Sequence, residues 1–209
     1  MTAWLGIDVG TGGTRAVLVN RDGKIVSAFT APHDDMIMEQ PLWAEQRPEN
    51  WWDAAKAAVR GVLSQANLSG SAVRGVGLSG QMHGLVMLDA ADRVIRPALI
   101  WCDQRSQKQV DSINHLLGAD RVLAFTANPV LTGFTLPKLL WVRDNERDHF
   151  KRVRKILLPK DYVRFCLTGE YTWRSRTRSL RESAFNQISC PWFLNPAQSA
   201  EASLRQRPV

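Results

Sequence analysis

Residues 4-WLGIDVGTGGTRAVLVN-20 hold two apolar runs joined by a turn that is almost all glycine and threonine. The runs 4–10 and 14–20 are short, rich in branched residues and bounded by glycines, so both read as strands. Asp8 sits where the first strand ends, and Gly10, Gly12 and Gly13 follow it. A turn of this composition leaves backbone N–H groups to face an anion. Asp8 would repel a phosphate unless a divalent cation or an ordered water lay between them, so the pairing implies phosphate together with magnesium. A glycine hairpin with a turn-capping aspartate is the plainer reading of the same residues. No helix follows the turn, which sets it apart from the Walker loop and the G-x-G-x-x-G fingerprint.

Working outward, Asp22-Gly23 supplies a tight turn into a third strand over 25–31, which predicts an antiparallel three-stranded meander. Trp51, Trp52, Ala55, Ala58, Val59 and Val62 then recur at helical spacing after Pro48, and residues 67–70 stop the run. The apolar, glycine-bearing run 73–80 is short enough for a strand buried on both faces. Residues 85–88 with the turn 89–92 suggest a hairpin strand, and helices are expected over 110–117, 136–148 and 161–167, with a short strand at 155–159. The order βββαβ followed by further α and β elements is that of an α/β fold with a mixed sheet. Residues 172–209 show no sustained period of two or 3.6 and read as a loop or disordered tail beyond a domain spanning residues 1–171.

Composition narrows the function classes. No apolar run approaches the roughly 18 residues of a membrane span, and the first residues lack a secretory signal, so a cytoplasmic protein is expected. Cys102, Cys166 and Cys190 are odd in number and lack zinc-type spacing, which argues for reduced thiols. The net charge of +7 is uneven: residues 172–209 carry six arginines against two glutamates. The rest is only mildly basic, and the arginines lack aromatic interleaving, so nucleic acid is not an expected partner.

Four further stretches carry pattern: 78-LSGQMHGLVMLD-89, 101-WCDQR-105, 133-GFTLPKLLWVRDN-145 and 159-PKDYVRFCLTGEY-171. Gly80 and Gly84 flank an amide, a thioether and a histidine just past a strand end. His83 offers a donor or acceptor to hydroxyls and Met82 an adaptable apolar wall. Asp103 and Arg105 alternate onto one side of an extended segment, where they either meet a substrate oxygen or pair to fix a loop. In 133–145, Leu136, Leu139, Leu140 and Val142 are expected to pack on the sheet, with Lys138 and Trp141 on another face.

Together with the opening loop, these stretches resemble the N-terminal part of the FGGY family of carbohydrate kinases, and within it the xylulokinases, which carry Gln-Met-His where glycerol kinases place Gln-Arg-Glu. The resemblance covers residues 4 to about 171. It implies an actin-like ATPase (ribonuclease H-like) domain, the N-terminal half of a two-domain sugar kinase that uses ATP and Mg2+ to phosphorylate a ketopentose, most closely D-xylulose. It implies further that Gly10, Thr11, Gly12, Gly13, Thr14 and Arg15 cradle the phosphates and that Asp8 acts on magnesium or its water. Gln81, Met82, His83, Asp103 and Arg105 would hold the sugar. The Lys138 stretch marks the family rather than the chemistry. The catalytic aspartate and the adenosine pocket belong to a second half whose motifs are not found here, so little or no turnover is expected of this chain alone. A kinase of another polyol, a non-enzymatic decayed fragment, and one half of a split enzyme completed by a second polypeptide, with homo-oligomers also open, are the alternatives.

Overall fold

A computed structural model of the chain describes residues 2–171. The expected loop or disordered tail over 172–209 lies outside the described residues. Strands β1 (Ala3–Val9), β2 (Gly13–Asn20) and β3 (Ile25–Pro32) form the expected antiparallel meander, with Asp8 opposite Arg15 and Val9 opposite Thr14. Gly23, at φ +77°, makes the β2–β3 turn, and the Asn20 side-chain oxygen accepts the N–H groups of Asp22 and Lys24. The two-residue strand β4 (Glu45–Gln46) leads into helix α1 (Pro48–Gln65), which begins with proline at its first position. Strand β5 (Val73–Gly80) then runs parallel to β1, giving a mixed sheet in the order β3-β2-β1-β5.

Strict alternation along β1 buries Ala3, Leu5, Ile7 and Val9 and exposes Trp4 and Asp8. The buried face meets Trp51, Ala54, Ala55, Ala58 and Val62 of α1 in one cluster with Ala16 and Leu18. Each fully buried Leu, Ile or Val contributes about 1.5–3 kcal/mol here. The spacing of apolar residues in α1 is therefore its fit to the sheet. Strand β5 corrects the expectation of burial on both faces: Val76 is 56% exposed, and Arg74, Gly77 and Ser79 also face solvent. It is an edge strand among the described residues, and an apolar run by itself does not reveal whether a second layer covers it.

The remaining elements continue the same core, to which Val86, Leu88, Ala98, Leu157 and Val163 belong. Strands β6 (Val86–Leu88) and β7 (Ala98–Leu99) precede helices α2 (Gln107–Leu117), α3 (Ala119–Thr126), α4 (Thr135–Asn145) and α5 (Arg147–Arg152), then strand β8 (Lys155–Leu157) and helix α6 (Pro159–Thr168). The turn after β6 forms, with Asp92 at φ +62°, but its return is only a bridge from Leu88 to Val94. The main partner of β6 is the distant β8. The helix expected over 136–148 divides at Glu146. Its Leu139 and Val142 pack on Leu85, Met87, Ile95 and Leu99, while Leu136 meets Val110, Ile113 and Val122. Helix α4 thus packs between the small strands and α2–α3 instead of on the four-stranded sheet.

Candidate active site

Because β1 and β5 are parallel neighbours paired as far as Val9 and Gly80, the loops that follow them leave the sheet side by side. The first loop closes on itself, with the Gly10 N–H donating to the Gly13 carbonyl at 3.0 Å. None of its glycines takes a left-handed φ. Their use is close approach: a Cβ on Gly13 would lie 2.8 Å from the Ala31 oxygen, whereas one on Gly12 would meet nothing within 4 Å. Gly12 is thus the place where a ligand can come up against bare backbone.

Polar side chains from four elements pin this loop. The Thr11 carbonyl accepts from Gln46 Nε2 at 2.7 Å and from His33 Nδ1 at 3.2 Å, and the Thr11 hydroxyl accepts from Trp101 Nε1 at 2.9 Å. With Nδ1 donating, His33 Nε2 accepts from the Thr14 hydroxyl at 2.8 Å, which fixes a neutral tautomer. Burial accordingly holds the His33 pKa below its ordinary value. Thr14 is fully buried, so it braces the loop from beneath rather than lying on the open face as expected. Asp8 and Arg15 do lie there, in a cross-strand row with Thr30 and Ser79.

The second loop begins at Gln81. Its Nε2 donates to the Gly10 carbonyl and to Gln46 Oε1, both at 3.2 Å, while Gln46 Oε1 also accepts from Trp51 Nε1 at 3.0 Å. Gln46 therefore ties both loops to the core of α1. Replacing Trp51 with phenylalanine removes one donor, though Gln81 still serves that oxygen, and leaves a gap where the larger, fully buried indole stood. A loss of about 2–3 kcal/mol in urea unfolding is expected.

Beyond Gln81, Met82 is 36% exposed and His83 takes a left-handed backbone, φ +64°, with its ring 4.6 Å from that of Phe134. Gly84 is needed where it stands, since a Cβ there would lie 2.6 Å from Pro159 Cγ. Lys138 is fully buried and donates to the carbonyls of His83, Gly133 and Phe134. Burial pushes its pKa down to about 7, with Asp103 partly offsetting. The unfolded chain keeps that proton to about pH 10.4, so it binds more protons than the folded chain above about pH 7, and stability should rise with pH there. Cys102 and Cys166, whose thiols burial raises, oppose this above about pH 8.5. Urea unfolding of the parent and of Lys138→Met between about pH 7 and 8.5 reads the effect as a slope present only in the parent.

Asp103 and Arg105 lie inside the protein. Asp103 Oδ2 accepts the Ala44 N–H at 2.8 Å, and both oxygens receive Arg105 Nε. The Arg105 Nη atoms stand 2.7 Å from Glu45 and from Asp103, close but poorly aligned as hydrogen bonds. Its guanidinium lies 3.8 Å from the Trp43 ring centroid and 4.9 Å from that of Trp141. Arg96 extends the network to Glu45 and Glu146. Of the two roles open to the pair, the geometry supports the loop-fixing one: these groups are committed to each other and hold β4, and with it Gln46, in place.

The sequence reading missed Gln46, His33 and Phe134. The signal for Gln46 was a polar pair, Glu45-Gln46, sandwiched between Trp43-Ala44 and the start of a helix. Among the described residues no group of three or more His, Cys, Asp or Glu could hold a metal. A lone carboxylate beside a bare loop suits magnesium, which keeps most of its waters and shares a phosphate. A cavity of about 310 Å³ lined by Asp34, Asp35, Ile37, Gln46, Arg47 and Asn50 includes none of the expected sugar residues. No described helix is long and apolar enough to cross a membrane.

A profile of the N-terminal domain of the FGGY family of carbohydrate kinases matches residues 3–180. The chain belongs to that family. Among relatives of this FGGY chain are a xylulose kinase of Escherichia coli (strain K12), 41% identical over 174 residues, and one of Bacillus subtilis (strain 168), 43% identical over 165. The first match covers 80% of this chain and 34% of the relative, the second 79% and 33%. The chain thus spans about one third of the length of the curated relatives it matches. A solved xylulose kinase from Rhodospirillum rubrum superposes with a TM-score of 0.75 at 29% identity, over 80% of this chain and 34% of the other. A gluconate kinase from Lactobacillus acidophilus gives 0.75 at 25%, over 81% and 34%. These neighbours are sugar kinases of the actin-like ATPase fold.

Proposed function

We propose that this chain is the sugar- and phosphate-binding part of an ATP-dependent kinase that phosphorylates D-xylulose to D-xylulose 5-phosphate. The observation that carries this is the bond from Gln81 to the Gly10 carbonyl, because it makes the loop with sugar-type side chains and the loop with phosphate-type backbone direct neighbours. Phosphoryl transfer needs little more from a protein than acceptor and donor held in line with their charge neutralised. The xylulose kinase relatives support the choice of sugar, while the gluconate kinase shows that one fold serves different substrates.

In this reading the backbone from Gly10 to Gly13, with Arg15, faces the phosphates. Thr14 and His33 hold that backbone, Gln81, Met82 and His83 face the sugar, and Asp103 and Arg105 position the strand behind them. Asp8 would hold magnesium through its carboxylate or a water, and the ion would supply charge neutralisation to the phosphates. The base that takes the sugar proton and the adenosine pocket are assigned to a C-terminal part, so the 209-residue chain is expected to bind sugar weakly and to turn over little alone.

The test is ATP consumption with D-xylulose, using the chain with and without a separately expressed C-terminal half of a related kinase. Activity in the mixture alone, lost in His83→Ala, supports the reading. No activity in either, with the full-length relative active alongside, favours a decayed fragment. Turnover of another sugar in preference to D-xylulose in a panel moves the assignment within the family.

A further inference from the structure

Lys138 is a wholly buried charged side chain, and no carboxylate among the described residues comes within ion-pair distance of it. A buried ammonium is costly unless its three donors are met, and here they go to main-chain carbonyls. Those carbonyls belong to two separate loops. His83 lies in the loop after β5, while Gly133 and Phe134 lie in the loop before α4. Two further observations join the same loops: the His83 ring packs on the Phe134 ring, and His83 holds a left-handed backbone that costs a β-carbon residue on the order of 1–3 kcal/mol. Something outside the residue must hold it in that conformation, and the bond to its own carbonyl acts there directly.

We propose that Lys138 is a positioning residue for sugar recognition: by bonding the His83, Gly133 and Phe134 carbonyls it locks the two loops together and sets the direction of the His83 ring. This rests on the reading of His83 as a sugar contact, but the mechanical link between Lys138 and His83 stands apart from it. Gly133 fits the same purpose, since a Cβ there would lie 2.8 Å from the Trp101 carbonyl, so the loop is seated tightly on its other side. Lysine also suits the task better than arginine, because a compact ammonium on a flexible stem meets three converging carbonyls where a planar fork would not.

The experiment uses the full 209-residue chain with its histidine ring signals recorded by NMR, the His83 signal being assigned by its loss in His83→Gln. In the parent, the ring current of Phe134 should displace the His83 signal. In Lys138→Met that displacement should vanish while the signals of His33, His115 and His149 stay in place, and D-xylulose affinity should fall by about tenfold. A His83 signal unmoved in Lys138→Met overturns the proposal. Should Lys138→Met unfold, with all four histidines collapsing together, the same reading in Lys138→Gln decides it. A partial displacement there supports the link, and an unchanged signal overturns it. D-xylulose that fails to move the His83 signal in the parent, with the Lys138 effect present, would instead sink the sugar reading and leave the link standing.

Discussion

Arg105→Met should be the most damaging single substitution to stability, at about 3–5 kcal/mol, a large share of the roughly 5–15 kcal/mol that holds a domain folded. The side chain is 1% exposed, that of Asp103 is fully buried and that of Glu45 is 10% exposed. Removing the guanidinium leaves Asp103 with only backbone partners and Glu45 with Arg96, while Trp43 and Trp141 lose the cation between them. Methionine preserves volume, so the cost is electrostatic. The paired variant Arg105→Met/Asp103→Leu should recover much of the loss, because two well-packed apolar groups are cheaper than one stranded charge. Thermal or urea unfolding of the three chains checks this; equal stability of Arg105→Met and the parent would show that the pair contributes nothing.

The second large effect concerns turnover. Asp8→Asn should lower ATP consumption in the complemented enzyme by about 10²–10³-fold, the scale at which a group neutralising transition-state charge acts. The melting temperature should not change, since Asp8 is exposed at the end of β1 and the described residues give it no ion pair. The amide keeps the shape and loses the charge that holds a cation, so excess magnesium should restore part of the rate. Full activity in Asp8→Asn would remove the metal role.

What could be read from sequence tracks how local its cause is. The meander β1–β3 and helix α1 were legible because period-two and period-3.6 patterns, the Asp22-Gly23 turn and Pro48 all act within a few residues. Helix α3 was not, being eight residues between Gly118 and a left-handed Ala127, too short for a period to declare itself. The pairing of β6 with β8 and the open face of β5 depend on what lies opposite, which no window of sequence contains. The site divides the same way. Motifs singled out Gly10 to Gly13 and Gln81 to His83, and the structure sets these two loops side by side. The inward turn of Thr14 follows from alternation along β2, and the network of Gln46, His33 and Arg105 required knowing that β4 runs beneath both loops.

The distant partner of β6 also sets an order of events for the newly made chain. The hairpins of β1–β3 close over a handful of residues, and α1 needs only that surface to fold against. Val86, by contrast, must wait for Leu157. Joining sequence-distant strands carries a loop-closure cost that local pairs avoid, so the β1–β5 and β6–β8 pairings, which both join strands far apart in sequence, are expected to form after the meander. In pulsed hydrogen exchange during refolding, amides of β1–β3 should gain protection first and those of β6 and β8 later and together. The loops that meet at Gln81 would then acquire their final geometry only at the end of folding, when α6 brings Pro159 against Gly84.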